Sequence, residues 1–342
     1  MGVHVLQSSP NPAADRGTAI SRRRALGLAG GAALAGTGLL AGTSPAARAA
    51  TALKTPAIFY APHQDDEALG YVGQILAHKA AGRPVFLVLV TQGQNVGLAQ
   101  RMNQGACGSG PYGGPGPDLC VYPNAFHNLG WDKSGNKIDP NTPRVVKART
   151  QEFTEAARIL GVDKFFNWQL PEIDEELGQS FDSLRDAVFT KVRALEKKYP
   201  GSSHKFPAGW LDCQDTHKAI SDAAYWLKDE VKDQRFTYGH IYGDSVSEAC
   251  NGGKVTSKAW RDRVSADAIQ RLSASDMKTK KAVIRAYNTY DPDRGLYATG
   301  FHSYAPGLLE AYNDPREWVY LMPSDYSPGP ITGNPDKGPW CI

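Results

Sequence analysis

From about residue 56 onward the chain alternates between short apolar runs and longer stretches whose apolar residues recur at helical spacing. Pro56-Ala57-Ile58-Phe59-Tyr60-Ala61 reads as a strand. Ala68, Leu69, Val72, Ile75, Leu76 and Ala80 then fall three or four apart and predict a helix over about 67–81, closed by Gly82. The unbroken run Val85–Val90 is the pattern of a parallel strand buried on both faces. Helical periodicity returns over about 144–160 and stops at Leu160-Gly161-Val162, before a strand over 164–168. Phe181, Leu184, Val188, Phe189, Val192 and Leu195 predict a helix over 181–199, and a short strand follows at about 204–210. Ala219, Ile220, Ala223, Ala224 and Leu227 mark the next helix, and 236–242 another strand. A helix is expected from about 264 to 288, through Ile269, Leu272, Met277, Ala282, Ile284 and Ala286. The chain from 322 on is rich in Pro and Gly and reads as irregular. Strands alternating with helices predict an α/β fold: a mostly parallel, doubly wound sheet with helices on both faces.

Two segments break the pattern. Residues 102–143 are rich in Gly, Pro and Asn and hold Tyr112, Tyr122, Phe126, His127 and Trp131. Loops of this length in compact domains are usually functional or disordered. This one leaves the end of the second strand, where a lid or wall of a site would stand. Residues 1–49 combine Ser21-Arg22-Arg23-Arg24-Ala25-Leu26-Gly27, an Ala/Gly/Leu run to about Gly42, and small residues in Ala47-Arg48-Ala49. They read as a twin-arginine export signal, which implies a secreted, extracellular or periplasmic chain. The single domain then covers 50–342.

Charge follows from that division. The whole chain carries a formal +3, but residues 1–49 contribute five arginines against one aspartate, so the remainder is about −1. Nothing in it suggests nucleic acid or an anionic membrane as a partner, and no later segment is apolar enough to span a bilayer. The sequence does not set the oligomeric state. The cysteines are Cys107, Cys120, Cys213, Cys250 and Cys341, an odd number without the CxxC spacing of structural zinc sites. For an exported chain disulfides are the default. Cys107–Cys120, bracketing the Gly/Pro-rich loop, is the first expected pair, and Cys213–Cys250 the second.

The candidate chemistry begins where the first strand ends. His63-Gln64-Asp65-Asp66-Glu67 lies between that strand and its helix, at the carboxyl end of a strand, where open α/β sheets bind ligands. Alone, the acidic run also suits a helix N-terminus, whose dipole favours carboxylates. The second loop changes the weighting. Asp215-Thr216-His217 also follows a strand and opens a helix. If the two strands are parallel neighbours, His63, Asp66 and His217 form a two-histidine, one-carboxylate set. Catalytic zinc takes three such ligands and keeps one position open. Asp65 is then left over as a base.

These residues resemble a known family. His63-Gln64-Asp65-Asp66-Glu67-Ala68-Leu69-Gly70 is similar to the His-Pro-Asp-Asp-Glu signature of the PIG-L/LmbE-like zinc de-N-acetylases. The similarity continues through Val85–Gly93 with its Thr-x-Gly, through Arg149-Thr150-Gln151-Glu152, and through Leu160-Gly161-Val162. Gln214-Asp215-Thr216-His217 stands where members carry His-Pro-Asp-His. The resemblance spans about 55–230. It implies a Rossmann-like fold, zinc held by His63, Asp66 and His217, and Asp65 as general base. Arg149 would lie on the substrate side, paired with Glu152.

Two departures stand out. Gln64 replaces a proline, which is expected only to loosen the turn. Gln214 replaces a histidine that in the family is thought to stabilise the tetrahedral intermediate. An amide can donate a hydrogen bond to an oxyanion but supplies no charge and no proton. His240 is the first substitute to consider, with His127 and His302 behind it. The expected function is removal of an N-acetyl group from an amino sugar or a GlcNAc-containing glycan or glycoconjugate. Tyr112, Tyr122 and Trp131 are available to stack on sugar faces or simply to pack their loop. Deacylation of another secreted N-acylated natural product, and a catalytically weak carbohydrate-binding homologue, are the alternatives.

Overall fold

The computed structural model describes residues 55–93, 98, 102, 119–120, 125–126, 129, 144–173, 179–211, 214–238 and 266–330. The expected export signal, His127, His240 and the cysteines other than Cys120 lie outside these residues, and at Cys120 only the backbone is described. The strands are β1 (Ala57–Ala61), β2 (Val85–Thr91), β3 (Leu119–Cys120), β4 (Ala125–Phe126), β5 (Lys164–Leu170), β6 (Ser203–Pro207), β7 (Asp233–Thr237), β8 (Ala268–Arg271), β9 (Tyr290–Asp291), β10 (Leu296–Tyr297) and β11 (Arg316–Tyr320). The helices are α1 (Asp66–Gly70), α2 (Val72–Ala80), α3 (Arg144–Leu160), α4 (Phe181–Lys198), α5 (Asp215–Trp226), α6 (Ala274–Ala286) and α7 (Thr299–Asn313).

One seven-stranded sheet runs in the order β5-β2-β1-β6-β7-β11-β8. β5, β2, β1, β6 and β7 are parallel neighbours, while β11 is antiparallel to both β7 and β8. The expected doubly wound α/β sheet is therefore present, with an antiparallel margin. β3 with β4, and β9 with β10, form separate two-stranded pairs. Every residue of β1 and β2 is buried, which suits strands covered by helices on both faces. Each fully buried Ile, Leu, Val or Phe contributes about 1.5–3 kcal/mol before entropy is counted. α4 packs on α5; α1, α2, α3, α6 and α7 pack among themselves.

Three elements differ from expectation. The helix expected over 67–81 is broken at Tyr71. There Gly73 N–H donates to Glu317 Oε2 at 2.8 Å, so a carboxylate from β11 caps the start of α2. Glu317 is wholly buried and lies 3.5 Å from the equally buried Lys280. The helix expected from 264 to 288 begins only at Ala274. Ser273 and Asp276 close a capping box there, and Ile269 belongs instead to β8, an edge strand paired with β11. β7 starts earlier than expected, at Asp233 rather than 236, because its polar first residues find partners: Gln234 donates to Ala224 O at 3.0 Å. The irregular reading of the tail agrees with 321–330, which is tied to α5 where Lys218 meets Tyr326 and Ser327 at 2.9 Å each. No helix among the described residues is long and apolar enough to cross a membrane.

The strand order reverses at β1. The chain leaves β1 for β2 and β5 on one side, then returns for β6 and β7 on the other. A crevice opens at such a switch point, above the carboxyl ends of the two strands. Here those ends are the loop 62–65 and the turn Gly209–Leu211 leading to α5. The turn touches the helix directly. Gly209 N–H donates to Ser221 Oγ at 2.8 Å, and a Cβ on Gly209 would lie 2.3 Å from the carbonyl carbon of His217. Backbone cannot yield cheaply at that distance. Gly209→Ala should therefore destabilise by about 1–3 kcal/mol, the usual cost of overpacking, and displace His217. Urea denaturation checks the first effect and zinc affinity the second; a variant unchanged in both contradicts the contact.

Candidate metal centre

His63 follows β1 through Pro62, and its backbone N–H donates to Asp66 Oδ2 at 2.8 Å. That bond closes the loop on itself and draws Asp66 back over His63. His217 lies in the first turn of α5 and is 3% exposed. Its Nε2 is 3.1 Å from His63 Nδ1 and 3.4 Å from Asp66 Oδ2, while His63 Nδ1 is 3.3 Å from the same oxygen. The three ligand-type atoms thus form a nearly equilateral triangle. Zinc bonds of ~2.0–2.1 Å in tetrahedral geometry place ligand atoms ~3.3–3.4 Å apart, so the donor set and its spacing fit a zinc ion. Among the described residues this is the cluster able to hold a metal.

The charges support that fit. Burial alone would raise Asp66, but His217 and His63 on either side outweigh it and hold its carboxyl well below the usual range. Burial likewise opposes charge on His63, yet Glu172 and Asp66 overcome it and bring the ring up to about 9. A metal arriving at these nitrogens displaces protons.

Asp65 differs from its neighbour. It sits in the left-handed region at φ 105°, a conformation that costs a non-glycine residue about 1–3 kcal/mol and gathers at functional sites. Its carbonyl starts α1 by accepting from Ala68 N at 3.0 Å and Leu69 N at 3.1 Å. Burial pushes its carboxyl up to about 7, against the pull of Arg149. Adjacent acids with separated proton affinities suit one ligand and one base.

Arg149, expected on the substrate side, is 3% exposed. Its bonds run inward, to Gly93 O at 2.7 Å, Gln64 O at 2.9 Å and Asp65 Oδ2 at 3.5 Å. It braces the Asp65 loop from beneath. Glu152 does not pair with it as expected. Both Glu152 oxygens instead cap α7, accepting from Thr299 N at 2.7 Å, Thr299 Oγ1 at 2.6 Å and Gly300 N at 2.9 Å. Periodicity could not separate these outcomes, because a three-residue spacing suits an ion pair and two unrelated contacts equally. Gln64 does more than loosen a turn. It is fully buried, and its Nε2 donates to Gln92 O at 2.9 Å. Gly93 has to be glycine: its φ is +64° and a Cβ would meet Gln64 Oε1 at 1.8 Å.

Gln214 is exposed at the N-cap of α5, and its side chain does not cap the helix. His302 lies in α7 and is 2.7 Å from Ala298 O; His240 falls outside the described residues. Sequence reasoning missed Glu172. It follows β5 through Pro171, and its Oε2 lies 3.1 Å from His63 Nε2. Burial would raise its carboxyl, but His63 and the hydrogen bonds it accepts bring it down to about 2. The signal was available: Glu172 ends a third parallel strand on the same sheet edge as the other loops.

A family model described as PIG-L, GlcNAc-PI de-N-acetylase, matches residues 58–225. Among solved structures, the chain is similar to a deacetylase of the teicoplanin biosynthesis pathway, at 16% identity over 79% of this chain and 100% of that one, with a TM-score of 0.48. It is similar at 16% identity to a conserved protein from Thermus thermophilus, over 80% of this chain and 100% of that one, with a TM-score of 0.46. With N,N'-diacetylchitobiose deacetylase from Pyrococcus horikoshii it shares 16% identity over 81% of this chain and 88% of that one, at a TM-score of 0.45. No curated protein sequence matches. Residues 58–225, which hold the whole His63, Asp66 and His217 triangle, thus match the PIG-L family.

Proposed function

We propose that the chain is an exported, zinc-dependent hydrolase that removes an N-acetyl group from an amino sugar or a GlcNAc-containing glycan or glycoconjugate. The triangle of His63 Nδ1, Asp66 Oδ2 and His217 Nε2 carries this reading, at edges of 3.1–3.4 Å beside the spare carboxylate of Asp65. Export rests on the twin-arginine pattern of residues 1–49.

Zinc in this set supplies Lewis-acid polarisation of the amide carbonyl and a lowered pKa for the attacking water. The chain's own residues do the rest. Asp65, held by Arg149 and by its strained turn, accepts the proton of the water as the new C–O bond forms. The amide carbon becomes tetrahedral, and its oxygen gains the negative charge. Gln214, at the exposed N-cap of α5, is the chain's donor to that oxygen. As the C–N bond breaks, Asp65 returns its proton to the leaving amine, so acetate and a free amino sugar are the products. A group that takes a proton and gives it back works best with a pKa near the working pH.

The ligand assignment predicts about one zinc per wild-type chain and far less in His63→Ala or His217→Ala. Asp65→Asn should keep the zinc and lose about 10²–10⁴ in kcat for acetate release from N-acetylglucosamine oligomers, the usual weight of general acid–base catalysis. Elemental analysis and an acetate assay read both. An active His217→Ala, or an Asp65→Asn that loses its metal, contradicts the roles. Wild-type zinc binding with no release from any amide identifies a binding homologue instead.

Gln214 is tested separately. Gln214→Ala should lower kcat by about 10²–10³, the scale for one oxyanion donor. Gln214→Glu should be worse, since it opposes the developing charge. Mild effects in both, with a severe loss in His240→Ala, would move the oxyanion role to His240.

A further inference from the structure

Glu172 touches three separate parts of the site. Its Oε1 accepts from Thr91 Oγ1 at 2.6 Å and from Gly93 N at 2.9 Å. Its Oε2 accepts from Thr216 Oγ1 at 3.2 Å and faces His63 Nε2 at 3.1 Å. Thr91 ends β2, Gly93 opens the following loop, and Thr216 precedes His217 in α5. The carboxylate is thus oriented by three groups that owe nothing to His63. It is fixed in place before the imidazole is considered.

The ring of His63 has only two nitrogens, and they face opposite partners. Nδ1 points into the triangle, at 3.3 Å from Asp66 Oδ2 and 3.1 Å from His217 Nε2. Nε2 points at Glu172. A neutral imidazole has one N–H and one lone pair. An ionised carboxylate only accepts, so a lone pair on Nε2 would face lone pairs on Oε2. With a metal in the triangle Nδ1 has to offer it the lone pair, so the single hydrogen of the neutral ring sits on Nε2, where the Glu172 carboxylate accepts it.

We propose that Glu172 is a positioning residue that sets the tautomer and ring orientation of His63, so that Nδ1 is the metal-binding nitrogen. This rests on the zinc reading given above. Carboxylates behind metal-binding histidines act in this way, and their removal weakens metal binding by about 10–100-fold. Glu172 lies on β5's trailing segment, two strands away from β1 in the sheet order. The metal set is therefore braced from β5 as well as from β1 and α5.

The test measures the zinc Kd of the full chain by chelator competition, for wild type, Glu172→Asp, Glu172→Gln and Glu172→Ala. Melting temperatures are recorded alongside. Glu172→Gln and Glu172→Ala should bind zinc roughly 10–100-fold more weakly, and Glu172→Asp should recover part of the loss. A second readout uses the zinc-loaded wild type, and so does not depend on any variant folding. Long-range ¹H–¹⁵N spectra should give His63 a protonated Nε2 and a metal-bound Nδ1. A zinc Kd in Glu172→Gln within twofold of wild type, or zinc on Nε2 of His63, would overturn the proposal. Tight zinc binding with these effects but no acetate release would sink only the proposed reaction. A wild-type chain that binds no zinc would sink both.

Discussion

Three paired residues decide where this site stands. Ala57, Ile58 and Phe59 of β1 lie in parallel register with Ser203, His204 and Lys205 of β6, and everything at the metal centre follows from that alignment. The register is locked just above it. The Tyr60 ring stacks on Phe206 at 4.7 Å, and its hydroxyl meets His204 Nδ1 at 2.8 Å. His204 is in turn held by Glu196 at 3.0 Å. A slip of one residue would move His63 by about 3.3 Å along the strand. That is as large as its 3.1 Å separation from His217. It would also turn every side chain of β1 to the opposite face. The aromatic stack beneath the sheet edge and the ligand triangle above it therefore stand or fall together.

Crowded carboxylates are the second constraint. Asp65, Asp66, Glu67 and Glu172 gather within a few residues of one another in space, and burial penalises each of their charges. The fold does not ionise them equally. Asp66 is kept charged by two histidines and Glu172 by His63, whereas burial drives Asp65 up to about 7 and Glu67 up to about 8. Tyr287 donates to Glu67, and Arg149 stands against Asp65. A divalent cation in the triangle adds positive charge at the centre of this group and is the largest local term once bound. In the proposed function the same acids, which would repel one another in a bare core, serve as ligand, base and brace.

Much of this was legible from residue pattern. The apolar runs of β1 and β2 and the helical spacing of α3 and α4 came from periodicity alone, because buried parallel strands and amphipathic helices write strong signals. His63, Asp66 and His217 followed from one rule about the carboxyl ends of strands. What stayed hidden was long-range. Glu317 interrupts a helix from 244 residues away, and no local pattern near Tyr71 encodes that. β8, a short half-polar edge strand, and β11, paired antiparallel between β7 and β8, were missed because their stability lies in distant partners rather than in a local pattern. Glu152 was paired with the wrong partner since its true one, the N-terminus of α7, lies 147 residues on. Glu172 was reachable by the strand-end rule, but only once β5 was extended to Leu170.

The central claim is that a zinc ion belongs to two imidazoles and one carboxylate at the β1–β6 switch point. X-ray absorption at the zinc edge, on the full chain loaded with one equivalent, tests this most directly. The account predicts a first shell made only of nitrogen and oxygen at ~2.0–2.1 Å, with the outer-shell signature of two imidazoles. In His217→Ala the signature should drop to one imidazole or the metal should be lost. A shell containing sulfur at ~2.3 Å would place the zinc on cysteines instead, and the assignment of His63, Asp66 and His217 would be wrong.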